Sequence, residues 1–212
     1  MKGVILDFDT IGPDDLDTSI LLSLPISWQI YGNTSFNEVN ERIRYADVVL
    51  TNKVELSNEN IKQAANLKLI GLFATGTNII DLEAASDKNI CVSNAVAYCT
   101  DSVVQHVWAL ILALTTRIFE YSQAATDGRW ERSNSFCVMD YSVKELAGKT
   151  LGVVGAGELG RAVASVGLAF GMNVKYAFFP ERHSFSHDNR IEFKALLQQS
   201  DIVSLHCPLT KD

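Results

Sequence analysis

Leu151-Gly152-Val153-Val154-Gly155-Ala156-Gly157-Glu158-Leu159-Gly160-Arg161 is a short apolar run ending in Gly-x-Gly-x-x-Gly. A helix-compatible stretch from Arg161 to Phe170 follows directly. Strand, glycine turn and helix in this order form the context in which the motif means dinucleotide binding rather than a purely structural turn. Gly155 permits the tight turn, Gly157 lets backbone approach a pyrophosphate, and Gly160 lets helix and strand pack closely. The start of the helix then offers unpaired N–H groups and the positive end of its dipole to the phosphates.

Working outward, short apolar runs flanked by turn residues predict strands at Gly3–Phe8, Trp28–Gly32, Asp47–Leu50, Lys68–Phe73 and Ile90–Ser93. Phe36, Val39 and Ile43 fall at helical spacing behind a Ser35/Glu38 capping box, Ser57 opens a second helix and Asp81 a third. This alternation predicts a parallel α/β sheet with helices on both faces, a flavodoxin-like domain over residues 1–99. A long helix from about Ser102 to Ala124 follows; its centre, Val107 to Leu114, is apolar all round and predicts burial between layers. Strand Thr150–Val154, a helix, strand Asn173–Phe178, a helix around Ile191–Leu197 and strand Asp201–His206 then make one βαβαβ half of a Rossmann domain. Residues 100–212 are therefore expected to be the N-terminal part of an incomplete Rossmann nucleotide-binding domain, the remainder lying beyond Asp212. Without that remainder, Thr150–Val154 is expected to present an unpaired edge.

Of the 212 residues, 47% are apolar and 20% charged, ordinary proportions for a globular chain able to bury a core. The net charge of −7 argues against nucleic-acid and anionic-membrane partners. The longest apolar run is far shorter than the ~18 residues of a membrane span. The N-terminus reads as a strand rather than a signal peptide. Cys91, Cys99, Cys137 and Cys207 are scattered, without CxxC pairs or metal spacing, which predicts reduced thiols in the cytoplasm and no metal site.

Several further segments carry a resemblance. They are Gly12-Pro13-Asp14-Asp15-Leu16, Leu50-Thr51-Asn52-Lys53-Val54, Ala74-Thr75-Gly76-Thr77-Asn78 with Asp81, Asp101-Ser102-Val103-Val104-Gln105-His106, Gly128-Arg129-Trp130, Leu146-Ala147-Gly148-Lys149-Thr150 and Ser204-Leu205-His206-Cys207-Pro208-Leu209-Thr210. In this order and spacing the chain resembles the D-isomer-specific 2-hydroxyacid dehydrogenases, above all the glycerate dehydrogenase (hydroxypyruvate reductase) branch. The resemblance implies hydride transfer between NAD(P)H and a small 2-keto/2-hydroxy acid, such as hydroxypyruvate/D-glycerate or glyoxylate/glycolate, in a homodimer. It implies that Thr75 and Gly76 hold the substrate carboxylate through backbone N–H groups. Lys53, just after the third strand, either faces the substrate or is a solvated surface lysine. On the cofactor side it implies Gly155, Gly157, Glu158, Leu159 and Gly160 at the pyrophosphate, with His206, Cys207 and Pro208 along the adenosine and nicotinamide-ribose side. His206 reads equally as a strand-end histidine bonded to backbone, and Val104 either as a nicotinamide neighbour or as core.

Two departures stand out. The acid that would hold the ribose hydroxyls, about 20 residues past the glycines, is replaced by Phe178. Glu181 comes slightly late, and Arg182 instead suits a 2′-phosphate; NAD is the first expectation, with NADP left open. The family's catalytic Arg, Glu and His fall beyond Asp212. Keto-acid reduction needs a proton donor titrating near working pH and a guanidinium clamp. His106 reads as a buried helix residue, and His183 and His187 lie in a polar loop. No catalytic residue is therefore assigned within these 212 residues, which are expected to be inactive alone. A nucleotide-sensing regulatory module without catalysis is the alternative.

Overall fold

A computed structural model describes residues 1–178 and 189–208. Glu181, Arg182, His183, His187, Leu209 and Thr210 lie outside the described residues. The chain divides into two compact units, Met1–Tyr98 and Cys99–Asp212.

The first unit is a five-stranded parallel sheet, β1 (Lys2–Ile5), β2 (Ser27–Ile30), β3 (Val48–Thr51), β4 (Leu69–Leu72) and β5 (Cys91–Ser93), in the order β2-β1-β3-β4-β5. That is the flavodoxin order, with its switch point between β1 and β3. Helices α1 (Ser19–Leu22), α2 (Val39–Ile43), α3 (Asn58–Gln63) and α4 (Leu82–Asp87) connect the strands. The start signals act as expected. The Ser57 side chain accepts from the Asn60 N–H, Asp81 Oδ1 accepts from the Ala84 N–H at 2.9 Å, and the Glu38 carboxylate accepts from the Ser35 N–H at 2.9 Å. At its other end α3 is closed by Lys88 Nζ, which donates to the carbonyls of Ile61, Lys62 and Ala64. Leu6, Ile43, Val49, Leu56, Ile61 and Ile70 are fully buried and form the core. Phe36, expected on the apolar face of its helix, is instead 73% exposed.

The second unit opens with α5 (Thr100–Thr116) and α6 (Ile118–Thr126). The single long helix expected here is thus two, bent by 62° at Arg117, whose backbone is left-handed at φ 57°. Burial on all sides is not found either. Trp108 and Ile111 are buried, whereas Leu110 and Leu114 are 52% and 73% exposed, and His106 is exposed too. Among the described residues, no single helix is long and apolar enough to cross a membrane.

Then follow β6 (Thr150–Val154), α7 (Glu158–Ala169), β7 (Asn173–Phe178), β8 (Arg190–Glu192), α8 (Phe193–Gln199) and β9 (Ile202–Leu205). The parallel sheet runs β8-β7-β6-β9. This corrects two expectations. β6 is not an edge but lies between β7 and β9, and its interior positions are buried, as a central parallel strand requires. The strand ending at His206 is the fourth, not the third, because β8 intervenes where only a helix was expected. The order corresponds to 3-2-1-4 of the doubly wound fold, so the switch point lies between β6 and β9. On one face of β6 the indole of Trp108 stacks on Phe170 at 5.0 Å and donates to the Val163 carbonyl at 3.1 Å, joining α5 to α7. On the other face Leu196 of α8 packs against Val154 and Ala177.

Candidate functional site

In the second unit the chain leaves β6 at Val154, turns at Gly155 and enters α7 with Gly157 as its N-cap. Gly155 has φ +102°, and a Cβ there would lie 2.2 Å from the His206 carbonyl oxygen. A Cβ on Gly160 would collide with the Gly155 carbonyl oxygen, so α7 can sit this close to the turn only with glycine there. Gly157 differs: a Cβ on it would meet nothing within 4 Å. The turn therefore has open space where a diphosphate would sit, and the residues present fit a dinucleotide. Hydrogen bonding within α7 begins with the Arg161 N–H donating to the Gly157 carbonyl at 3.0 Å. The amides before it have no acceptor within the helix and lie at its positive end.

The side chains around the turn define which groups are left to serve a ligand. The Glu158 carboxylate accepts from Thr100 Oγ1 at 2.5 Å, so it is the Glu158 amide rather than its acid that fits an anion. Arg161 Nη1 donates to the Ala156 carbonyl at 2.7 Å, which places a guanidinium against the turn. Across the switch point, the His206 N–H donates to the Val154 carbonyl at 2.7 Å and continues the β6–β9 ladder. The His206 ring lies 2.8 Å, Nε2 to Oγ, from Ser204, and its partial burial lowers its pKa below 6.5. Cys207 and Pro208 follow, exposed. Val104 is half-buried against the core of Trp108, Leu151 and Val163. Phe178 closes β7, and Glu181 lies outside the described residues. The structure thus gathers Gly155 to Gly160 and His206 to Pro208 at one switch point.

In the first unit, Lys53 lines a crevice of about 350 Å³ at the carboxyl ends of β1 and β3, with Asp7, Thr10, Asn33, Thr34 and Glu55. This is the place where an open α/β sheet takes ligands. Thr75 and Gly76 are exposed on the loop after the adjacent strand β4. That loop is tied to the segment after β5: Asn94 Nδ2 donates to the Thr75 carbonyl at 2.7 Å and the Ala95 N–H to the Ala74 carbonyl at 3.1 Å. A larger groove, about 700 Å³, lies at the β1–β2 side between Lys2, Gln29, Tyr31, Glu41 and Tyr45. Asp7, Thr100, Arg161 and Ser204 escaped sequence reasoning. For Asp7 a signal existed, since it is an acid at the carboxyl end of the first parallel strand; the others are polar residues with no spacing to mark them. Among the described residues, no cluster of three or more His, Cys, Asp or Glu is placed to hold a metal ion.

Comparison with known proteins bears on the same segments. Residues 108–212 match the sequence model of the D-isomer specific 2-hydroxyacid dehydrogenase, NAD binding domain. A putative 2-hydroxyacid dehydrogenase of Haemophilus influenzae is 39% identical over 185 residues, covering 87% of this chain and 58% of the relative. A hydroxypyruvate reductase of Blautia hydrogenotrophica is 36% identical over 214 residues, covering 99% of this chain and 66% of the relative. The solved D-lactate dehydrogenase of Aquifex aeolicus, complexed with NAD and lactic acid, superposes with a TM-score of 0.76 at 28% identity, over 100% of this chain and 62% of that one. The chain thus spans 58% and 66% of the length of these two curated relatives. The glycine turn packed on the fourth strand and the likeness to these relatives agree: the chain belongs to the D-isomer specific 2-hydroxyacid dehydrogenase family.

Proposed function

We propose that the protein is an NAD-dependent oxidoreductase that interconverts a small 2-keto acid and its D-2-hydroxy acid, with hydroxypyruvate/D-glycerate and glyoxylate/glycolate as the foremost pairs. The observation that carries this reading is the open seat at Gly157, at the start of α7, in the turn whose Gly155 packs on the backbone of His206. The relatives named for hydroxypyruvate and 2-hydroxyacid chemistry support the substrate class.

The nicotinamide, when bound, supplies or accepts the hydride. The residues of this chain bind and orient. The amides of Glu158 and Leu159 face the diphosphate, while His206, Cys207 and Pro208 line the neighbouring wall. In the first unit the amides of Thr75 and Gly76 hold the substrate carboxylate, and the Lys53 ammonium adds attraction for an anion. No proton donor is assigned among these residues, so the 212-residue polypeptide by itself binds cofactor without turnover. A homodimer is part of the same reading. Leu110, Leu114, Ile118, Phe119, Phe136 and Met139 of the second unit are all more than half exposed, an apolar surface suited to a second copy. Thiols that are all free accord with a cytoplasmic location.

The test is titration of NADH and NADPH into the whole protein by fluorescence, then NADH oxidation with a panel of 2-keto acids. Binding of NADH with reduction of hydroxypyruvate or glyoxylate supports the proposal; absence of NADH binding overturns it. A 23.3 kDa preparation that oxidises NADH with hydroxypyruvate would refute the inactivity of the isolated stretch.

A further inference from the structure

Asp7 lies two residues beyond the end of β1, is 1% exposed, and is placed where a parallel sheet presents its ligand-binding end. Its carboxylate is surrounded by donors from the loop after β3. Oδ1 accepts from the Asn52 N–H at 2.9 Å, and Oδ2 from Asn52 at 3.1 Å, Lys53 at 2.6 Å and Val54 at 3.3 Å. Three successive amides converging on one anion form a nest, the backbone device that elsewhere captures a ligand's phosphate or carboxylate. Here the chain fills the nest with its own side chain.

Other contacts fix the same turn. The Val54 N–H also donates to Oγ1 of the buried Thr51 at 3.0 Å, and Asn52 Nδ2 donates to Thr10 Oγ1 at 3.1 Å. Thr10 Oγ1 in turn donates to the Asp7 carbonyl at 2.7 Å. The backbone of Asn52, Lys53 and Val54 is therefore held to the end of β1, while the Lys53 side chain stays exposed in the crevice. An internal anion in this nest has two consequences. It excludes the substrate carboxylate from the amides after β3, leaving that role to the Thr75–Gly76 loop, and it fixes the direction from which the Lys53 ammonium enters the crevice.

We infer that Asp7 is a positioning residue for substrate binding: its buried carboxylate, held by the amides of Asn52, Lys53 and Val54, sets the backbone that presents Lys53. The inference rests on the reading of Lys53 as a substrate contact in a 2-keto acid reductase. Asp7 is 1% exposed and its carboxylate is taken up by the three amides, so its effect travels through Lys53, and that dependence is measurable.

The experiment is a double-mutant cycle on the whole protein with NADH and hydroxypyruvate. Lys53→Ala is expected to raise KM for the keto acid about tenfold or more, and Asp7→Asn, which turns an N–H donor onto three N–H groups, about tenfold with a smaller change in kcat. NADH affinity should stay within twofold in both. In the Lys53→Ala background, Asp7→Asn should add less than twofold. Should Asp7→Asn fail to fold, Thr51→Val loosens the same turn at constant volume. It is expected to raise KM about threefold with Lys53 present and not at all without it. An equal rise in KM with and without Lys53 overturns the inference, as does an unchanged KM in folded Asp7→Asn or Thr51→Val. An unchanged KM in Lys53→Ala overturns the assignment of Lys53 and this inference with it, while leaving the cofactor reading intact. A wild-type protein that reduces no 2-keto acid overturns the proposed function as well.

Discussion

Gly155 and His206 are in backbone contact across the switch point between β6 and β9: a Cβ on Gly155 would stand 2.2 Å from the His206 carbonyl oxygen and 2.8 Å from the Cys207 nitrogen. Backbone atoms cannot step aside as a flexible side chain does. Gly155→Ala therefore faces both this clash and φ +102°, and is expected to lose about 2 to 5 kcal/mol of stability. Gly157→Ala separates fold from function, because its Cβ enters open space. It should leave the urea midpoint nearly unchanged and weaken NADH binding about tenfold or more, the cost of one lost or lengthened phosphate hydrogen bond. Parallel urea melts and NADH titrations of the two variants read both effects. Equal loss of stability in both would refute the distinction.

Much of this arrangement was legible before any coordinates, and the reasons for the rest are specific. Ser57 and Asp81 announced their helices because a cap is a local hydrogen bond that residue type and spacing encode. The glycine turn was legible because each glycine answers a separate steric demand. β8 was not: Arg190–Glu192 is three residues, two of them charged, and its pairing with Tyr176–Phe178 is a long-range event without local periodicity. The break between α5 and α6 left no sign either, since no glycine or proline marks it and Arg117 itself adopts the left-handed turn. Within Val107–Leu114 an unbroken apolar run names no face, so periodicity could not tell buried Ile111 from exposed Leu114. Asp7 carried a positional signal, an acid just past the first strand, but it is one of four acids between positions 7 and 15 and burial is what singles it out.

Arg117 suggests a stabilising change. A non-glycine residue at φ 57° costs about 1 kcal/mol, and among the described residues its side chain pairs with Glu120 at 3.0 Å, a solvent-screened contact worth little. Arg117→Gly is expected to gain about 0.5 to 1 kcal/mol, less whatever the added freedom of the unfolded chain removes. The measurement is the urea midpoint; a fall would show that the ion pair or the unfolded-state entropy outweighs the strain.

Cys207 offers a reporter of occupancy. Its thiol is exposed and follows directly on His206 at the switch point, whereas the exposed Cys91 belongs to β5 of the other unit. At NADH ten times its Kd, about nine-tenths of the sites are filled, so alkylation of Cys207 by iodoacetamide should slow by about tenfold. Cys91 should react at its original rate, giving an internal control resolved by peptide mass spectrometry. Equal rates at Cys207 with and without NADH would place the nucleotide elsewhere.

His206 ties stability to pH. Burial disfavours its charged form, so its pKa in the folded protein lies below the 6.5 of the unfolded chain. The unfolded state therefore binds more protons through this window. The contribution of neutral His206 is complete above about pH 6.5 and is lost as pH falls toward the folded pKa. Folded-state titration of the imidazole C2–H resonance should give a midpoint below 6.5. His206→Gln should remove this part of the loss in stability on acidification. The pKa shift also predicts that NADH binding near pH 7 meets a neutral imidazole, so wild type and His206→Gln should show the same salt dependence of Kd at pH 7.5. A steeper dependence in the wild type would mean that the ring is charged there, and the burial argument would fail.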